Sequence, residues 1–259
     1  MRVSAPATGD ERGGSARPRP LYARHAAAAE RGAWDVSTVI EWSAIDAELA
    51  HRTPDVLAAV RDAALIESFH PVNLGRLMRA TWDDVDAGVC LSLEAFEGFR
   101  HFHALRLYLE AVDYTPRITE EELVALREPA ALTEVTAGDL VEKLVEFMLS
   151  EHLAAYFFRR LGERAEEPQL ARLLAVIAAD EVRHAQSASD LIAKRIRADG
   201  AVVTRVLEAA VSFRHFGEEA LGGAVPVAMH GDPLAIRTFA RRIERLCGVR
   251  LVDHMKEGL

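Results

Sequence analysis

Apolar residues recur at steps of three and four along four long stretches, and in each stretch the apolar face is interrupted by carboxylates or imidazoles. After Thr53-Pro54-Asp55 the stripe reads Val56, Val60, Ala63, Glu67, Leu74 and Leu77. From about Thr81 to Val112 it passes through Cys90, Glu94, Glu97, His101, Leu105 and Tyr108. From about Ala137 to Leu161 it holds Leu140, Leu144, Phe147, Glu151, Ala154 and Phe158. From about Pro168 to Ile196 it holds Leu170, Leu173, Leu174, Ile177, Glu181, His184, Ala188 and Leu191. This is the period of one face of an α-helix, so the spacing predicts four long helices and an all-α fold. No strand pattern competes with it.

Turn and cap residues predict where these helices begin and end. Thr53 and Thr81 read as N-caps, with Pro54 in one first turn and Asp83 and Asp84 in the other. Pro71 is expected to kink or break the first helix. Pro116 ends the second, Ile118 to Arg127 reads as a short helix before Pro129, and Gly162 to Glu167 connects the third helix to the fourth. Ala201 to about His215 and Leu234 to Cys247 are further helices, separated by a Gly- and Pro-broken loop from 217 to 233. The last of them carries Arg237, Arg241, Arg242 and Arg245, read as a solvated face. Residues 1 to about 33, rich in Ala, Arg, Gly and Pro, are expected to be mostly disordered, and Trp34 to Leu49 to lead into the core with some helical character. Residues 34–259 then form a single domain.

With 259 residues, half of them hydrophobic, the chain can bury a full core. A formal charge of -9 excludes a general nucleic-acid surface, no segment has the apolar length to span a bilayer, and a cytoplasmic location is expected. Cys90 and Cys247 lie far apart in the chain, which gives neither a disulfide framework nor a zinc site. Any metal would be held by Glu, Asp and His.

The polar intrusions supply such a set. Glu181 and His184 are three apart and share a helix face, as do Glu97 and His101 at four. With Glu67 and Glu151 they approach the inventory of a di-iron carboxylate bundle, one Glu from each of two helices and a Glu-x-x-His pair from each of the others. Left uncompensated, buried charges cost several kcal/mol each, and two divalent cations would neutralise four carboxylates. Mixed oxygen and imidazole donors suit iron, with manganese as the alternative metal. His70, three after Glu67, is either a ligand or packs beside Pro71, and Glu94 is another substitute ligand. His152 points about 100° away from Glu151 and is a bystander.

The run Ala179-Asp180-Glu181-Val182-Arg183-His184, with Ile192-Ala193-Lys194 and Asp199-Gly200 after it, resembles the soluble acyl-acyl-carrier-protein desaturases. So do Glu151, Arg100-His101 with Leu105 and Tyr108-Leu109, and Glu67 before Pro71, which places the resemblance over roughly residues 60–200. It implies a ferritin-like four-helix bundle holding two irons, which are reduced by an external donor such as a ferredoxin and use O₂ to attack an unactivated C–H bond. It also implies an acyl-carrier-protein substrate and a homodimer, with Asp180 and Arg183 either orienting the ligands or standing as solvated charges beside the site; Arg100, off the apolar stripe, reads as another such orienting group or a surface one. Three departures stand beside it. Gly98 occupies the place of the family's second-helix glutamate, so that Glu97 is expected to reach the metal through a local bulge. Ala154 stands where the third helix usually has threonine, and the chain is shorter than typical desaturases. Two other readings stay open: a di-iron oxygenase that hydroxylates or N-oxidises a small metabolite, and a non-catalytic metal-binding bundle.

Overall fold

Four long helices, paired by very short connections, frame the molecule. The computed structural model describes residues 20–131, 134–136, 138–216 and 233–257, and every regular element among them is helical. In chain order these are α1 (Leu21–Gly32), a 3-10 turn at Trp42–Ala44, α2 (Ala47–His51), α3 (Pro54–Ala80), α4 (Val85–Ala111), α5 (Glu120–Ala131) and α6 (Leu140–Arg164). Then follow α7 (Pro168–Ala198), α8 (Val202–Val211), α9 (Pro233–Cys247) and α10 (Leu251–Glu257). The fold class is all-α, as the periodicity predicts. Among the described residues no helix is long and apolar enough to cross a membrane.

The turn at 81–84 folds α4 back on α3, and residues 165–167 fold α7 back on α6, since connections this short force antiparallel partners. The two hairpins face each other, α3 against α6 and α4 against α7, with α5 in the crossover packed on α3. Acidic side chains fix several starts. Asp84 accepts from the Ala87 amide at 3.2 Å, and Glu167 accepts from the Leu170 amide at 2.7 Å while the Tyr108 hydroxyl donates to it at 3.0 Å.

The hydrophobic core is divided. One cluster joins Val56 to Ala64, Phe102 to Val112, Phe157 to Leu161 and Leu170 to Ala178. The other joins Leu74, Leu77, Leu91, Leu140 to Leu149, Ala188 to Ile192 and the inner face of α8. Between them Glu67, Glu97, His101, Glu151, Glu181 and His184 form a buried polar layer across all four helices.

Several expected boundaries need correction. α3 continues unbroken through Pro71, although that residue removes one backbone donor, because core packing on both sides holds the helix. Thr81 is not an N-cap: it closes α3 by donating to the Leu77 carbonyl, and Asp84 caps α4 instead. Thr53 makes no capping bond, α5 runs on past Pro129, α8 stops at Val211, and α10 was not foreseen. Leu21 to Gly32, expected to be disordered, is a helix packed on α4 and α7 and tied down by Tyr22 N–H to Asp86 (3.0 Å) and His25 to Asp190 (3.1 Å). The rest of that extension, residues 1–19, and the loop at 217–232 lie outside the described residues. On α9, Arg237, Arg241 and Arg245 are exposed, but Arg242 is half-buried and donates to the Ala185 carbonyl at 3.0 Å.

Candidate metal centre

Each of the four long helices brings its polar interruption to the same layer because, within each hairpin, the intrusions lie at matching heights. Ligand-capable atoms of Glu67, His101 and Glu181 lie within 4.8 Å of one another, as do those of Glu151, Glu181 and His184. Glu181 belongs to both groups, with Oε1 3.0 Å from His101 Nδ1 and Oε2 2.9 Å from His184 Nδ1. The same two nitrogens lie 3.5 Å from Glu67 Oε2 and 3.3 Å from Glu151 Oε2. Five of the six residues predicted as ligands thus form two clusters that share one carboxylate.

The outer ring nitrogens are held by acids. His101 Nε2 meets Asp180 Oδ2 at 3.1 Å, and His184 Nε2 meets Glu97 Oε2 at 2.8 Å. Asp180 also accepts from Trp34 Nε1 (2.8 Å), Arg100 (3.1 Å) and Arg183 (2.6 Å). Glu97 accepts from the same two arginines at 3.1 and 2.8 Å. An acid on Nε2 leaves Nδ1 to face the carboxylates, the arrangement that orients a metal-binding imidazole. The expectation for Glu97 is therefore corrected. α4 is α-helical throughout, without a bulge, and Glu97 lies behind His184 instead of joining either ligand group.

Asp180, Arg183 and Arg100 do surround the ligands as expected. Trp34 was not foreseen: its ring stacks on His101 at 6.1 Å, and the Arg100 guanidinium lies 4.4 Å from the Trp34 ring centre. A lone tryptophan after a helix end carries no sequence signal for this. Gly32 makes room for Arg183, since a Cβ there would sit 2.8 Å from the guanidinium. His152 stays outside the layer, with its ring nitrogen 3.0 Å from the Thr238 hydroxyl, and His103 is exposed.

The two substitute ligands differ. Glu94 is buried without a hydrogen bond to either oxygen, and burial pushes its carboxyl up to about 8. It borders a cavity of about 20 Å³ with Ala28, Cys90, Glu97, His184 and Ser187, room for a molecule about the size of water. His70 lies inside the layer with Nε2 buried, unbonded and 3.7 Å from Glu151 Oε1. Burial lowers it to about 3, so its imidazole is neutral.

Burial likewise raises the Glu67 and Glu151 carboxyls. For Glu181 burial acts the same way but is outweighed by the two imidazoles, which hold it well below the usual range. Six acids share this region, namely Glu67, Glu94, Glu97, Glu151, Asp180 and Glu181, against Arg100 and Arg183. With all six acids ionised and the imidazoles neutral, as metal ligands are, four negative charges remain, the charge of two divalent cations; without metal, burial alone would lower His101 and His184, but the carboxylates, Glu181 first, raise both well above the ordinary imidazole value, so that they take up protons instead. His101 Nδ1 and Glu181 Oε1 approach to 3.0 Å yet make no hydrogen bond to each other or to anything else. Buried polar atoms are rarely left so, and two ligand atoms that offer lone pairs to one cation come this close without bonding each other. The residues present fit a pair of metal ions. Comparison with protein-family models, with curated proteins and with solved structures finds no match.

Proposed function

We propose that this chain is an O₂-dependent non-haem di-iron oxidoreductase on a ferritin-like bundle. As its resemblance to the soluble acyl-acyl-carrier-protein desaturases implies, it would desaturate an acyl chain delivered by a carrier protein. The observation that carries the reading is the pair of buried ligand groups sharing Glu181. Glu67 and His101 would hold one ion, Glu151 and His184 the other, and Glu181 both. Two irons so held would supply the reductive use of O₂ that no side chain here can perform. In the overall change two hydrogens leave adjacent carbons, a C=C bond forms, and O₂ becomes two waters. Two electrons and two protons come from the substrate, two electrons from an external donor such as a ferredoxin, and two protons from solvent.

The protein's own share is geometric and electrostatic. Asp180 and Glu97 fix the two imidazoles, and although burial raises both acids, His101 on Asp180 and His184 on Glu97, with Arg183 second on each, hold them below the usual carboxylate range. The apolar clusters on either side exclude water from the layer, which strengthens each charge interaction within it.

One observation favours a second reading. The cavity bordering His184 has only about 20 Å³, room for a small oxidant but not for an acyl chain. A separate groove of about 1010 Å³, lined by Trp34, Trp42, Phe96, Phe99 and Arg100, offers apolar space outside the metal layer. A small metabolite, hydroxylated or N-oxidised, fits that arrangement. Metal analysis and absorption spectra of the reduced protein exposed to O₂ test the common core of both readings, with about two irons per chain expected. Less than one iron and no oxygen-dependent spectral change would sink it. Mass spectrometry of acyl-carrier-protein substrates separates the two readings, since desaturation lowers the acyl mass by two hydrogens.

A further inference from the structure

α4 carries a glycine, Gly98, where side chains of α3 crowd against its backbone in the layer. A Cβ at Gly98 would lie 2.9 Å from His70 Cδ2 and 3.5 Å from Glu67 Oε2. The imidazole of His70 therefore occupies the space into which any longer side chain at 98 would project. Its ring leans on Phe147 at 5.6 Å, which fixes its plane. Nε2 points inward, is fully buried, and has no hydrogen-bond partner. The atom facing it, Glu151 Oε1, is 3.7 Å away. That distance is too long for a hydrogen bond, but it suits two ligands of one ion, each about 2.1 Å from the metal and separated by an angle of roughly 120°.

We infer that His70, which lies outside both tight ligand groups but has Nε2 3.7 Å from Glu151, is a sixth ligand of the centre, binding the ion on the Glu151 side through Nε2 and filling the place left open by Gly98. The inference rests on the two-metal reading and deepens it, giving a set of three carboxylates and three imidazoles. Neither other candidate competes for this place. Glu97 is engaged by Arg100, Arg183 and His184, and Glu94 borders the small cavity next to α1.

The test is anaerobic titration of the metal-free full chain with Co(II), followed by absorption and calorimetry, with folding checked by far-UV circular dichroism. Wild type is expected to bind two ions per chain. His70→Ala should keep one at wild-type affinity and weaken the other at least about tenfold, the lower end of what even a lost outer partner costs, and added free imidazole should restore it. Gly98→Ala should weaken the same ion with His70 still present, because its methyl group displaces the ring. It also serves if His70→Ala fails to fold. Two ions bound with wild-type affinity by the folded variants would overturn the assignment while leaving the two-metal reading intact. A wild-type chain that binds less than one ion would overturn both.

Discussion

Glu181 is the one carboxylate common to both ligand groups, so its neutral isostere should remove two metal sites at once. A ligand that binds only the folded state at a concentration of a hundred times its Kd stabilises by about 2.7 kcal/mol, and two independent ions by about 5.4 kcal/mol. A chain of this size gains roughly 2–4 °C per kcal/mol, which puts the metal-induced rise in Tm at about 10–20 °C. Glu181→Gln keeps the shape that lies between His101 and His184 but removes the charge that faces both Nδ1 atoms at 3.0 and 2.9 Å. The rise should then shrink to a few degrees. Anaerobic thermal melts followed by circular dichroism, with Fe(II) or with a chelator, measure it. Glu94→Gln is the control, since Glu94 is buried nearby but belongs to neither group, and it should retain the full rise. A Glu181→Gln rise equal to that of wild type would refute the shared-ligand geometry, and a rise halved would mean that Glu181 serves one ion only.

Two more outcomes follow from groups around the layer. Asp180→Asn removes one of the two acids that Arg100 and Arg183 share, with Glu97 still paired to both, so the loss is that of hydrogen bonds to charged groups, about 1.5–3 kcal/mol; urea unfolding of the metal-free protein that shows a loss below about 1 kcal/mol would contradict it. Burial pushes the Cys90 thiol up to about 12 and that of Cys247 to about 11. Raised thiols lie almost wholly protonated at pH 8, and thiolate appears only as pH climbs toward those values. An aromatic disulfide reagent should therefore find neither thiol in the native protein within minutes and both after denaturation, and a thiol consumed in seconds would be inconsistent with the burial.

The helices were legible because their period is local. Each apolar stripe names a buried face whatever it packs against, and the carboxylates within the stripes marked the polar layer before any contact was known. What periodicity does not encode is which neighbour a side chain meets. Glu97 and His101 share a helix face, yet the first turns toward α7 and its arginine while the second also reaches Glu67 on α3. Pro71 misled for a related reason: its local cost is real, but the packing that offsets it comes from distant segments. α1 was hidden by composition, since its Ala and Arg content resembles disorder until Asp86 and Asp190 anchor it. Trp34 sits beside His101 only because the chain after α1 crosses α4 and α7.

The difference between Glu97 and Gly98 then has a simple geometric meaning. One residue along a helix is a rotation of about 100°. A carboxylate moved from position 98 to 97 leaves the space between the two ligand groups and comes to lie behind His184, within reach of Arg100 and Arg183. The vacated space is open to α3, and His70 fills it. The exchange keeps the same number of acids in the layer. With His70 as the inferred ligand, a neutral group would stand where the resemblance places a charged one, and Glu97 would be left to hold His184. Two divalent ions would still balance the buried charge, but with three carboxylates touching them instead of the four of the resembled family, each ion would carry more of its positive charge into the site.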